Sequence, residues 1–563
     1  MKQILAAALL LLTACATSTH PTGSATLAKI ADEYWQHQLE ESPSLQVKFG
    51  LPTKHLPDPS FAHTQSEAKF AEEILRKLDG IDAKRLGEED RLTHRLLRWY
   101  AQEPVEDVRF FWLRSPITPY ASPLRGVNQL FTAKKLDTAE RARLLGEYGH
   151  FIDQLREVIV EQQRRGILLP KPELPLVRGM IAGFIKPPES SALRGGDDSA
   201  DVRDAITSVV NPSLQRLADV FNDAYESAAP AGVGPSQYPG GVEYYRALIR
   251  RETSLDLTPD EIHEKGLQEV ARISRELDDI RKEVGFNGTL LEFRQYLKTD
   301  PRFFAKSSDE IGERLGSYVR KIEPQIPRFF AKLPHAAYDV KRLDPSLEGA
   351  MTFGYYQVPT ATDATGHYLY NGSKVNERNL LFAPALMLHE LIPGHHFQIN
   401  RQSENTSLPA FRRESFDTAF VEGWGEYSAW LGREMGIYDD PYDRAGRLMM
   451  DSLLSVRLVV DTGMNALGWP RDKAMQYMRE NTFQSETEIA TESLRYSADI
   501  PAQALAYKIG SLKMIELRRE AEKVLGQKFD IRQFHEWILG SGSMPLAILE
   551  EHVRERTRAH SSP

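Results

Sequence analysis

Cysteine is almost missing from this chain: there is one, Cys15, in 563 residues. That excludes intrachain disulfides and any metal site built from several thiolates. Long apolar runs are scarce as well. The one near the start is shorter than the roughly 20 residues a membrane-spanning helix needs, so no transmembrane helix is predicted. Basic residues are not in excess: 70 Lys and Arg against 79 Asp and Glu give a formal charge of −9, the wrong sign for a nucleic-acid partner. Phosphate-cradling G-x-x-x-x-G-K-[ST] and G-x-G-x-x-G loops are missing, as is a G-x-S-x-G nucleophile elbow. Nucleotide binding and serine-hydrolase chemistry therefore have no support.

What remains is ordinary globular composition, 41% hydrophobic and 26% charged, enough to build large cores. The chain opens Met1-Lys2-Gln3-Ile4-Leu5 and runs apolar to Leu12-Thr13-Ala14-Cys15. A basic start, a short apolar stretch and small residues before a lone cysteine predict a lipoprotein signal peptide over 1–14, cleaved so that lipid is attached to Cys15. Ala16 in place of an aspartate points to the outer membrane, facing the periplasm, with residues 15–25 as a Ser/Thr-rich tether. The lipid would be the only membrane contact.

Helical periodicity dominates from Leu27 onward, as at Glu67–Leu78, Ala139–Arg165, Ala200–Ser227 and Pro259–Val284. Lys186–Asp198 and Ala228–Gly241 are rich in Pro and Gly and read as loops. Ala350–Tyr370 differs, with Tyr355, Tyr356, Val358, Tyr368 and Tyr370 among Thr and Gly, and predicts short strands. The expectation is a mainly α chain with an N-terminal helical lobe over 26–240 and a second lobe over 241–563.

The most informative block is His389-Glu390-Leu391-Ile392-Pro393-Gly394-His395-His396. Neutral imidazoles and a carboxylate suit zinc, and three such ligands leave a position open for water. In the helical H-E-x-x-H motif the two histidines sit one turn apart. Here position i+4 is Pro393. The next histidines would lie about 9 and 10.5 Å up an unbroken helix, too far for a bond of about 2 Å. Pro393 removes a backbone donor and Gly394 accepts unusual dihedrals, so the spacing predicts a broken helix that returns a histidine to the metal. His395 and His396 are both within reach of such a bulge. Glu422 and Glu426, four apart on a helix predicted over Asp417–Met435, project from one face. One can bind metal while the other holds a ligand imidazole by its second nitrogen. Gly423 and Gly425 are costly inside a helix, which predicts that another backbone or a substrate comes close there.

The order H-E-L-I-P-G-H-H-F-Q, then Phe420-Val421-Glu422-Gly423-Trp424-Gly425-Glu426-Tyr427, then Arg457 to Gly463, then Arg495-Tyr496 with Pro501-Ala502-Gln503-Ala504, resembles a bacterial lipoprotein family known as domain of unknown function 885. That family is grouped with the gluzincin zincin-like metallopeptidases. The resemblance implies a large, helical, two-lobed zincin fold like the oligopeptidase and angiotensin-converting-enzyme group, with a small β element before the metal helix. Matching the Gly-His pairs implies His395 as the second ligand, with His396 in the cleft or supporting shell. The gluzincin order implies Glu422 on zinc and Glu426 behind a ligand.

The expectation is thus one Zn²⁺ per chain held by His389, His395 and Glu422, with Glu390 as base. By resemblance Tyr496 supports the oxyanion. Tyr355, Tyr356, His367, Arg495, Tyr507 and Lys508 are candidates for gripping a peptide substrate, and Arg457 with Asp461 reads as a buried structural pair. A zinc amidase acting on muropeptides and a non-catalytic peptide-binding envelope protein are the other readings.

Overall fold

The computed structural model describes residues 23–133, 136–345, 347–348, 353–360 and 363–561. The expected signal peptide and Cys15 lie outside the described residues. Helix Gly23–Glu41 already runs through the end of the stretch read as a tether. The chain is mainly helical with one three-stranded sheet.

Three of the periodic segments are single helices, Phe61–Asp79, Thr138–Arg164 and Pro259–Glu283. Ser60, Asp137 and Thr258 start them by accepting a first-turn N–H, and Glu261 reciprocates to Thr258 in a capping box. Ala200–Ser227 is not one helix. A π-helical turn at Ile206–Val210 precedes Asn211–Ala218, and a 3₁₀ turn at Asp219–Phe221 leads to Asp223–Ala228. Pro212 supplies no N–H to the ladder, and Asn222 restarts the chain by accepting from Ala224 and Tyr225.

Of the strands, β1 (Ala337–Arg342) escaped the sequence pattern; β2 (Gly354–Gln357) and β3 (Thr365–Tyr370) fall in the segment read as strands. Central β3 pairs in parallel with β1 and antiparallel with β2. It leads through a short connection to helix Ala383–Glu390, which carries His389.

The cores do not divide at residue 240. Buried residues between Leu27 and Phe110, Leu56 aside, share one cluster with many between Tyr244 and Val553, while Leu56 joins Ile117 to Ala229 in another. The first helices are tied to the C-terminal half by specific bonds: Tyr100 O–H donates to Asp417 at 2.7 Å, and buried Arg412 donates to Thr93 at 3.0 Å and Glu89 at 3.2 Å.

Two helices cross glycine on glycine. Helix Thr418–Leu431 meets helix Leu505–Leu525 where a Cβ on Gly423 would lie 2.6 Å from Gly510 Cα, and one on Gly510 would lie 2.0 Å from the Ala419 carbonyl. The backbone predicted to approach Gly423 is therefore that of Gly510. Gly510→Ala is expected to cost about 1–3 kcal/mol or more by overpacking. It should lower the thermal midpoint clearly, and an unchanged midpoint in differential scanning calorimetry would contradict this crossing.

Candidate metal centre

Helix Ala383–Glu390 stops after Glu390, and a new helix starts at His395. Between them the chain doubles back: the Phe397 N–H reaches the Leu391 carbonyl at 3.3 Å, and Gln398 N–H reaches that of Gly394 at 3.0 Å. A Cβ on Gly394 would sit 1.8 Å from the His389 carbonyl oxygen, so only glycine fits the return. The Trp424 indole N–H donates to the Pro393 carbonyl at 2.8 Å, satisfying a buried acceptor that the break exposes.

The break brings the His395 ring to 4.5 Å from that of His389, nearly perpendicular to it at 81°. Opposite them helix Thr418–Leu431 presents Glu422, one oxygen of which lies 3.6 Å from His389 Nε2 and 3.4 Å from His395 Nε2. One donor atom from each of the three residues falls within 4.8 Å of the others. Ligands about 2.05 Å from a tetrahedral ion stand roughly 3.4 Å apart, so the donor set and its spacing fit zinc. His389 is buried, whereas His395, Glu422 and Glu390 keep some exposure, which leaves one side of the triad open.

The second nitrogen of His389 faces Glu426, with Nδ1 2.9 Å from the carboxylate, and Glu426 in turn lies 3.0 Å from the Arg447 guanidinium. A Cβ on Gly425 would lie 2.8 Å from the His389 ring, so this glycine makes room for the imidazole. Burial alone would push His389 down, but the Glu422 and Glu426 carboxylates beside it outweigh that and raise it to about 10. Burial would raise Glu422, yet the two histidines hold it well below the ordinary carboxylate range. The cluster favours a cation, whether protons or a metal ion in their place. Burial pushes Glu390 up, opposed by the two histidines and by the Tyr356 N–H.

His396 faces the other way. Its Nε2 donates to the Ala336 carbonyl at 3.2 Å, its Nδ1 accepts from the Tyr356 hydroxyl at 2.9 Å, and burial pushes it down to about 4. It joins the helix to the sheet. His367 is likewise taken up by the sheet, bonded to Asp339 across the β1–β3 pairing at 2.5 Å and to Asp363 at 2.9 Å. Lys508 is also committed elsewhere: it is buried between Asp451 at 2.6 Å and Glu269 at 2.7 Å. Tyr355 and Tyr356 sit half-buried on β2, and the Tyr356 backbone reaches Glu390.

Tyr496 is fully buried; its hydroxyl accepts from Arg457 Nε at 2.7 Å and donates to Glu492. Arg457 and Asp461 do not pair. Arg457 turns to Tyr496 and Glu492, and Asp461 accepts from Tyr245 at 2.6 Å and from Asn465 at 3.0 Å. Tyr507 is the tyrosine against the triad: its ring lies nearly parallel to His389 at 6.5 Å, and burial and then the Glu422 carboxylate raise its hydroxyl. Arg495 donates to Gln503 at 2.9 Å and covers the Tyr120 ring at 5.1 Å. Tyr120 forms part of the wall of a cavity of about 620 Å³ together with Tyr238, Tyr244 and Asp499. Arg447 and the Trp424 contact escaped sequence reasoning. Arg447 carries no motif, although a cation inside an apolar helix is a hint of a buried partner.

Comparisons with known proteins agree on the fold. A crystal structure of a candidate lipoprotein from Colwellia psychrerythraea superposes with a TM-score of 0.85 at 24% identity, covering 96% of this chain and 100% of that one. A candidate lipoprotein of unknown function from Shewanella oneidensis superposes with a TM-score of 0.75 at 16% identity, covering 94% and 99%. No curated protein matches the chain. The model of a bacterial family of unknown function, DUF885, matches residues 43–553, and the chain belongs to that family.

Proposed function

We propose that this chain is a zinc-dependent peptidase of the gluzincin type, anchored in the bacterial cell envelope by a lipid on Cys15. The observation that carries the reading is the His389, His395, Glu422 triad, spaced for a tetrahedral ion, with the half-buried Glu390 acted on by both histidines. No helix among the described residues is long and apolar enough to cross a membrane. Bound zinc would supply a Lewis acid that polarises a peptide carbonyl and acidifies water.

The chain's own residues do the rest. Glu390 accepts the proton of the attacking water and passes it to the leaving amine, helped by the burial that raises its basicity. Glu426 and Arg447 fix the His389 ring from behind. Two tyrosines compete for the oxyanion. Tyr496 spends its hydroxyl on Arg457 and Glu492, so the role passes to Tyr507, half-buried and beside Glu422. The edge strand β2 and the cavity beyond Arg495 are surfaces on which an extended peptide can lie.

His395→Ala is expected to lose the tightly held zinc equivalent that survives gel filtration, while His396→Ala keeps it and loses thermal stability. Metal analysis showing the reverse would exchange their roles.

Glu390→Gln keeps the ligands and should cut peptide-library cleavage by at least about 10²-fold with zinc content unchanged. Activity within a few fold of the parent would remove Glu390 from the chemistry. A fully loaded parent that cleaves no peptide would favour a muropeptide amidase or a binding protein.

Tyr507→Phe should lower kcat by roughly 10²-fold with KM little changed, and Tyr496→Phe should act mainly on stability. A kcat loss confined to Tyr496→Phe would return the oxyanion role to that residue.

A further inference from the structure

Far from the triad in sequence, two helices near the N-terminus carry the same pattern. His37 and Glu41 lie four apart on helix Gly23–Glu41, and His63 and Glu67 lie four apart on helix Phe61–Asp79. Spacing of four puts each pair on one helix face. The helices run antiparallel there: Lys77 reaches Glu33 at 2.5 Å, His37 Nε2 reaches Glu67 at 2.9 Å, and His63 Nε2 stands 3.9 Å from Glu41. The two His-x-x-x-Glu pairs therefore face each other about a local twofold, each imidazole opposite the other helix's carboxylate. Donor atoms of His37, Glu41 and Glu67 all fall within 4.8 Å of one another, and His63 stands outside that triad with its Nε2 3.9 Å from Glu41.

Charge makes the cluster incomplete as an ion-pair network. With neutral imidazoles the two carboxylates leave a charge of −2 between the helices. Neighbouring Glu40 is matched by Lys54 at 3.0 Å, but among the described residues the only cationic partner within ion-pair distance of Glu41 is His63, at the long end of the range. The His37 ring is held in place by stacking on Phe70 at 3.7 Å and 22°. The four side chains are 19–33% exposed, shielded yet open to an entering ion. We propose that His37, Glu41, His63 and Glu67 form a second, peripheral site for a divalent first-row metal ion such as Zn²⁺, clamping the first helix to its neighbour. His37, Glu41 and Glu67 would supply three ligands, and His63 turning in from beside Glu41 would close the shell with two imidazoles and two carboxylates, the donor set of a structural site and not a catalytic one.

Glu422→Gln, which disables the central triad, isolates the site in the mature full-length protein. Titrated with Zn²⁺ by calorimetry, that variant should take up one equivalent, and its thermal midpoint should rise by about 2 °C at ~100-fold excess over Kd. With Co²⁺ it should show the visible absorption of a four-coordinate ion. Adding His63→Gln, at a half-open position, should weaken binding at least about tenfold and abolish the thermal rise. The same substitution alone in the parent should lower the total from two equivalents to one. No uptake by Glu422→Gln, or uptake and a thermal rise untouched by His63→Gln, would overturn the proposal.

Discussion

The interrupted helix at Leu391–Gly394 is the constraint on which the rest of the centre depends. A continuous helix would carry His395 about 9 Å along its axis from His389, and no side-chain rotamer recovers that distance. By folding back on the His389 carbonyl, where only Gly394 fits, the chain sets the two imidazoles nearly perpendicular at 4.5 Å. The cost is a set of backbone groups outside any ladder, which tertiary partners satisfy, among them the Trp424 indole on Pro393. Trp424 lies on the helix that brings Glu422 and Glu426, so the element that supplies the third ligand also braces the break.

Behind the triad runs a line of buried charge. His389 meets Glu426, Glu426 meets Arg447, and Asp451 near Arg447 is shared by Lys508 and Arg272. Isolated buried charges are expensive, and alternation of sign along such a line offsets much of that expense. The helices that contribute it cross closely because Gly423 and Gly510 let their backbones touch. The placement of Glu422 thus rests on the helix crossing at the neighbouring Gly423. In the proposed peptidase this line sets the orientation of His389, while Glu390 and Tyr507 remain on the open side.

Much of the centre was legible from residue chemistry and spacing. The Pro-Gly pair inside an apolar helix announced a break, Glu422 and Glu426 announced a shared face, and the glycines between them announced a close approach. What was not legible depended on partners far apart in sequence. Lys508, His367 and His396 have the chemistry to hold substrate, yet Asp451, the β1 strand and Tyr356 respectively absorb them. Tyr496 and Tyr507 cannot be ranked by sequence, because the difference lies in where Arg457 points. Helical periodicity located the long helices well and failed at Ala200–Ser227, where Pro212 and Asn222 break the ladder. The apolar faces of the helices before residue 110 pack with the C-terminal half, a partnership that no local pattern on either side of residue 240 displays.

In the proposed centre the break delivers His395, and not His396, to a metal held with His389 and Glu422. Anomalous diffraction at the zinc edge, on crystals of protein loaded with one equivalent, tests it most directly. An anomalous peak bonded to His389 Nε2, His395 Nε2 and a Glu422 oxygen at about 2.0–2.2 Å, with Glu390 beside the open position, is the expected result. A peak at His396, or an empty triad in protein that has bound zinc elsewhere, would contradict it.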